Sequence, residues 1–171
     1  PRCSTTTDRP TVPWLPSRQL PVVRPRPDGR FDLVLPQAHR ATLLSLLAEL
    51  DELIETDPSD PDLRRLSPPA YLEDPDRDLE YQLLAGDELR TARRATIETV
   101  RTSMDRSTLS EDQVWAWLRA LNALRVVVGT KLDITDEDDD PELAPDDPAA
   151  PLWAIYDYTG LIQHAIIAAL G

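Results

Sequence analysis

The chain has 171 residues, 41% of them apolar and 29% charged, which suits one globular domain with a sizeable core. Its 31 Asp/Glu against 18 Lys/Arg leave a net charge of −13, which argues against direct nucleic-acid binding, because that rests on neutralising phosphates. No apolar run approaches the ~20 residues that span a bilayer, Pro1 to Arg30 lacks the apolar stretch of a secretory signal, and Cys3 is the only cysteine, so the expected compartment is a reducing cytoplasm.

Pro1 to Pro27 holds seven prolines with Ser, Thr and Arg. Residues 1–19 are therefore expected to form a disordered Pro-rich arm that cannot bury enough apolar surface to offset chain entropy. Trp14 and Leu15 are its large apolar pair. Residues 20–171 form the expected single domain. It opens with two β-prone runs, Leu20–Arg24 and Arg30–Leu35, around the turn signal Pro27-Asp28-Gly29. In that hairpin Phe31, Leu33 and Leu35 share one face.

Pro36 opens a helix expected to reach Thr56. Leu43, Leu44, Leu46, Leu47, Leu50, Leu53 and Ile54 give it a broad apolar face, with pattern and propensity in agreement. His39, in its first turn, reads as an exposed polar residue. Asp57 to Glu73 is a loop with a short turn at Asp62–Leu66, anchored by Leu66, Tyr71 and Leu72. Asp74-Pro75 is a helix start, Asp as N-cap and Pro at the first helical position. The short helix that follows carries Leu79, Leu83 and Leu84, and Gly86 is expected to break it. Asp87 then caps a further helix to about Met104, with Leu89, Ala92, Thr96, Ile97, Val100 and Met104 inward. Arg90, Arg93, Arg94 and Arg101 make its outer side basic, either a surface for an acidic partner or a solvated face paired with the chain's own carboxylates.

After a linker at Arg106–Leu109 comes the strongest helix signal. Ser110 and Gln113 fit the S-x-x-Q capping box, and Glu111 and Asp112 suit the first turn. Val114, Trp117, Leu118, Leu121, Leu124 and Val128 recur on one face, while Arg119, Asn122 and Arg125 lie three apart on another. Gly129 is expected to end the helix in a left-handed conformation. On pattern alone this is a core helix with a polar outer side. The sharper reading makes Trp115, Arg119, Asn122 and Arg125 a contact surface, since Trp and Arg dominate binding hot spots. An acidic loop follows at 133–147, nine of its residues Asp or Glu and none Lys or Arg. Asp147-Pro148 then caps a last helix to Leu170, with Leu152, Ile155, Thr159, Ile162, Ile166 and Leu170 as its stripe.

Catalytic and metal motifs do not emerge. An EF-hand loop started at Asp136 meets Pro141 where Gly is required and Asp147 where Glu is required. One Cys and two distant His, His39 and His164, give no zinc spacing and no nucleophile–base pattern. Neither a Walker A nor a dinucleotide fingerprint is present. The chain is therefore read as non-enzymatic, with no cofactor and no metal.

The run from Trp115 to Asp140, WAWLRALNALRVVVGTKLDITDEDDD, resembles the signature of an actinobacterial family, domain of unknown function 2017. That signature runs Trp-Leu-Arg-x-Leu-Asn-x-x-Arg, then Gly-Thr-Arg/Lys-Leu, then an acidic tract. DLRRLSPPAYLEDP (Asp62–Pro75), the Glu80-Tyr81 region and YDYTGLIQHAIIAAL (Tyr156–Leu170) support the likeness, which covers roughly Val22 to Leu170. The resemblance implies a small, cytoplasmic, mainly helical protein whose gene often neighbours that of the ClpS adaptor of the Clp protease. One branch of the family is a redox-responsive regulator of oxidative-stress genes, working with a stress sigma factor through an intramolecular disulfide. This chain departs there: Cys3 has no partner cysteine, and the acidic residue usual after the signature Asn is Ala123.

The expected architecture is mainly α, about five helices packed as an orthogonal bundle with a small N-terminal β-hairpin. The expected function is a regulatory or protein-interaction module with a protein partner, a sigma factor or the Clp system being candidates. The alternatives are an accessory factor of regulated proteolysis and a direct DNA-binding regulator using the α-helical arginines and the N-terminal arm.

Overall fold

The structure is a computed structural model that describes residues 20–135 and 146–171. The expected N-terminal arm and most of the acidic loop, with residues 136–145 of the EF-hand stretch, lie outside the described residues. The elements run in the order β1 (Val23–Pro25), β2 (Phe31–Leu33), α1 (Gln37–Thr56), a 3₁₀ turn (Pro61–Leu63), α2 (Pro75–Ser103), β3 (Thr108–Leu109), α3 (Glu111–Lys131) and α4 (Ala150–Leu170).

The hairpin forms where expected. Gly29 takes φ +76° in its turn, and the Arg26 amide donates to the Arg30 carbonyl at 2.9 Å. Strand β2 pairs antiparallel on both sides, Arg24 opposite Asp32 and Phe31 opposite Leu109. The third strand comes from the expected linker: Leu109 is fully buried, and Arg30 donates to the Thr108 hydroxyl at 2.8 Å. Phe31, Leu33 and Leu35 are all buried, as their shared face requires. The Arg40 guanidinium ties this sheet to the helices, donating to the Leu35, Met104 and Leu33 carbonyls at 2.8, 2.7 and 3.3 Å.

There are four α-helices rather than about five in an orthogonal bundle, because Gly86 does not interrupt α2. A Cβ at Gly86 would meet nothing, and one glycine costs a helix interior only about 1 kcal/mol, less than a break would forfeit. The Asp74 carboxylate caps α2 by accepting from the Arg77 amide at 3.1 Å. The buried residues of α2 are Ile97, Val100 and Ser103, all near its end. Its first half stands clear of the core, so Leu79, Leu83, Leu84 and Leu89 are exposed, and Leu72 anchors nothing at 84% exposure. Leu63, Leu66 and Tyr71 hold the preceding loop instead.

Helix α3 is the spine, packed by α1, α2, α4 and the 3₁₀ turn. Its capping box is complete: the Ser110 hydroxyl accepts from the Gln113 amide at 3.3 Å, and the Gln113 side chain accepts from the Ser110 amide at 2.9 Å. Trp117 is wholly buried, and its indole N–H donates to the Ser103 hydroxyl at 2.9 Å. Gly129 does not end the helix. The left-handed residue is Asp133, φ +52°, while the Ile134 amide donates to the Gly129 carbonyl at 2.9 Å and the Asp133 amide to Thr130 at 3.1 Å. That pair of bonds is the Schellman ending, in which the residue just past the cap turns left-handed.

Helix α4 starts at Ala150, later than Asp147-Pro148 foretells, with Asp147 accepting from the Ala149 amide at 2.8 Å. Tyr158, outside the expected stripe, is its largest buried side chain. The phenol donates to the His39 carbonyl at 3.2 Å and the ring stacks on the His39 imidazole at 5.7 Å. His39 is thus half-buried rather than exposed, and His164 is exposed. No helix among the described residues is long and apolar enough to cross a membrane.

Candidate interaction face

Because Val114, Trp117, Leu121, Leu124 and Val128 turn into the core, the 3.6-residue period turns Trp115, Arg119 and Asn122 outward. Trp115 is 44% exposed, and its indole makes only a long 3.4 Å approach to Glu111 one turn back. Arg119 and Asn122 are exposed and have no hydrogen bond or ion pair among the described residues. The ridge runs into a groove between α3 and α4, where Asn122, Arg125, Tyr156 and Gln163 line the walls and Arg65 closes one side.

Arg125 belongs to the scaffold of that groove. Its guanidinium lies 4.1 Å from the centre of the Tyr156 ring, a cation–π contact, and Trp153 meets the same ring edge-on at 5.8 Å. Two glycines make the approach feasible. A Cβ at Gly129 would sit 3.3 Å from Tyr156, and one at Gly160 would sit 3.0 Å from the Arg125 guanidinium.

The arginines of α2 are occupied within the chain. Arg90 pairs with Asp87, and Arg101 with Glu98. Arg94 bridges to α1, donating to Asp51 at 2.9 Å and Glu55 at 2.6 Å. The hydrogen bond and charge of Asp51, then the charge of Glu55, raise its pKa. Arg93 donates to the Leu66 carbonyl, and burial lowers its pKa. Of the seven residues singled out from the sequence, Trp115, Arg119 and Asn122 share the exposed ridge and Arg125 lies in the α3–α4 seam, while Arg93 and Arg94 tie α2 to the Leu66 carbonyl and to α1, and Arg90 pairs with Asp87 on α2 itself.

Two residues missed in the sequence hold the start of the acidic tract. Arg64 pairs with Asp133 at 3.3 Å, and Arg65 donates to the Ile134 carbonyl at 2.6 Å. Lys131 reaches Asp62 at 3.3 Å from the other side. Adjacent arginines in an otherwise acidic loop were the available signal. Their partner was not, since it lies 69 positions along the chain.

Among the described residues, no cluster of three or more His, Cys, Asp or Glu is arranged to hold a metal ion. Neither the curated proteins nor the solved structures contain a match to this chain. The family model described as domain of unknown function (DUF2017) matches residues 21–170, nearly all of the domain, and the chain belongs to that family.

Proposed function

We propose that this chain is a non-catalytic protein-interaction module whose contact face is the Trp115–Arg119–Asn122 ridge of α3. One observation carries this. In a chain with 31 Asp/Glu and 18 Lys/Arg, most described arginines are engaged by the chain's own carboxylates and carbonyls. Among the described residues Arg119 has no hydrogen bond or ion pair, and it stands on a well-capped helix beside a half-exposed tryptophan. A hydrogen-bonding cation, an amide and an indole on one fixed ridge fit a partner that offers a carboxylate next to an apolar side chain. The family has a branch that regulates stress genes with a sigma factor, which makes a sigma factor the first candidate partner even though this chain lacks that branch's cysteine pair, and the ClpS gene neighbourhood makes the Clp system the second.

Photoreactive residues placed singly at Trp115, Arg119 and Asn122, with one at exposed Glu49 on α1 as control, test this in the native host. A partner trapped from the ridge positions and not from Glu49, and whose purified form loses binding on Arg119→Ala and with added salt, is the expected result. The same background set from all four positions sinks the proposal.

A further inference from the structure

A cavity of about 230 Å³ lies outside the α3 ridge, between the end of α1, the Asp57–Glu73 loop and α2. Ile54, Leu63 and Leu66 form its apolar part, and Arg90 and Arg93 stand at its wall one turn apart on α2. Ser67 faces the same space from the loop, with Arg64 beside it. Asp60 is the acidic residue of the lining, and its carboxylate already accepts from the Asp62 amide at 2.7 Å. Arg93 is the unusual member. It is half-buried, and its bond among the described residues goes to the Leu66 carbonyl, an uncharged acceptor. Burial accordingly lowers its pKa. In a chain with 31 Asp/Glu, a guanidinium taken partly out of water without a carboxylate is a charge without compensation. The Ser67 hydroxyl, also half-buried, has no hydrogen bond among the described residues and is free to donate.

We propose that this cavity binds a small organic phosphate, a phosphate monoester on a short carbon skeleton, with Arg93 and Arg90 as its anchors and Ser67 as a further donor. The donor set selects phosphate over carboxylate. One arginine fork satisfies a carboxylate, whereas a phosphate monoester brings about −1.5 to −2 charge and three acceptor oxygens, enough for two guanidiniums and a hydroxyl. Arg90 is able to turn to it, because its partner Asp87 is largely exposed and such surface pairs contribute little. The size of the cavity limits the rest of the ligand. At about 230 Å³ it falls below the ~300–1,000 Å³ of sites for drug-sized molecules, so a few carbons are what Ile54, Leu63 and Leu66 can cover. If Arg93 served only to tie the loop to α2, its bond to Leu66 would suffice, and neither Ser67 nor Arg90 would matter to any ligand.

Isothermal titration calorimetry on the full chain at constant ionic strength tests this, with glycerol 3-phosphate, inorganic phosphate and succinate as probes. Far-ultraviolet circular dichroism confirms the fold of each variant. Glycerol 3-phosphate is expected to bind at one per chain, more tightly than inorganic phosphate and at least about tenfold more tightly than succinate. Arg93→Gln should weaken it by about tenfold or more, and Arg90→Gln and Ser67→Ala each severalfold. Arg101→Gln, whose arginine pairs with Glu98 away from the cavity, should leave binding unchanged. Should Arg93→Gln loosen the fold, Ser67→Ala still decides, since that hydroxyl has no bond within the described residues to lose. No binding of glycerol 3-phosphate overturns the proposal. So does succinate or inorganic phosphate bound as tightly, an affinity indifferent to both Arg90→Gln and Ser67→Ala, or an Arg101→Gln loss as large as that of Arg93→Gln.

Discussion

Arg125 on α3 lies over the Tyr156 ring on α4, 4.1 Å from guanidinium carbon to ring centre. The contact makes a residue that reads from sequence as a surface arginine part of the seam between two helices. Arg125→Ala is expected to lower stability by roughly 0.5–2 kcal/mol, the range for a partly desolvated cation–π pair. Arg125→Lys recovers only part of that, because an ammonium keeps the charge but loses the flat stacking surface. Urea midpoints compared at constant slope measure both.

Gly160 tests the same seam from the other helix. A methyl there would stand 3.0 Å from the Arg125 guanidinium, close enough to push it off the Tyr156 ring. Gly160→Ala is therefore expected to destabilise the wild-type background and to be neutral or stabilising in the Arg125→Ala background, where the helix-propensity gain of alanine acts alone. A double-mutant cycle reads the difference as a coupling energy.

The buried Trp117–Ser103 hydrogen bond, 2.9 Å between residues with no exposure, joins α3 to the end of α2. Ser103→Ala leaves the indole N–H without an acceptor, at a cost of about 1–3 kcal/mol. Trp117→Phe removes the donor but opens a void. The double variant should lose clearly less than the sum of the singles. Simple additivity in thermal or urea unfolding would show that the bond contributes nothing beyond packing.

Where local chemistry decides the structure, the sequence already displays it. The Ser110–Gln113 capping box, the Asp74 cap and the Gly29 turn each depend on residues within a few positions of one another. The core faces of α1 and α3 follow from periodicity for the same reason. What could not be read depends on distant partners or on a balance of small terms. Strand β3 exists because β2 offers Thr108–Leu109 an edge, not because two residues have strand propensity of their own. Gly86 and Gly129 look like helix breaks until the cost of one glycine is set against the helix on either side. Tyr158 is recognised as core only when His39, 119 positions away, is placed against it. Of the ridge, Trp115, Arg119 and Asn122 follow from α3's period, whereas the employment of Arg125 by Tyr156 and of Arg94 by α1 does not.

Burial pushes the Tyr158 phenol from its ordinary 10 up to about 12. The fold therefore holds this proton more tightly than the unfolded chain does. Below pH 10 both states keep the proton and the full stability is present. As the pH rises from 10 to about 12 the unfolded chain releases it first and stability falls, levelling once both states have lost it. Tyr158→Phe should flatten that alkaline decline relative to wild type, although it costs the hydrogen bond to the His39 carbonyl at neutral pH, about 1 kcal/mol. Equal slopes for the two proteins between pH 10 and 12 would show that Tyr158 does not govern the loss.

Asp133 occupies the left-handed position that closes α3, at φ +52°. A side chain there is strained by about 1–2 kcal/mol unless it is Gly, or a short polar residue that bonds locally. The opposing consideration is its ion pair with Arg64 at 3.3 Å, but Asp133 is largely exposed and such pairs contribute about 0–1 kcal/mol. Backbone strain should outweigh it. Asp133→Gly is expected to be neutral to stabilising, Asp133→Asn near neutral, and Asp133→Ala the most destabilising, since alanine bears the strain with neither local bond nor charge. Urea unfolding of the three variants at low and high salt separates the terms: salt should narrow the deficit attributable to the lost pair while leaving the gap between Gly and Ala unchanged. If alanine matches glycine, the left-handed residue does not control how α3 ends, and Arg64 and Arg65 must be what holds the first residues of the acidic tract.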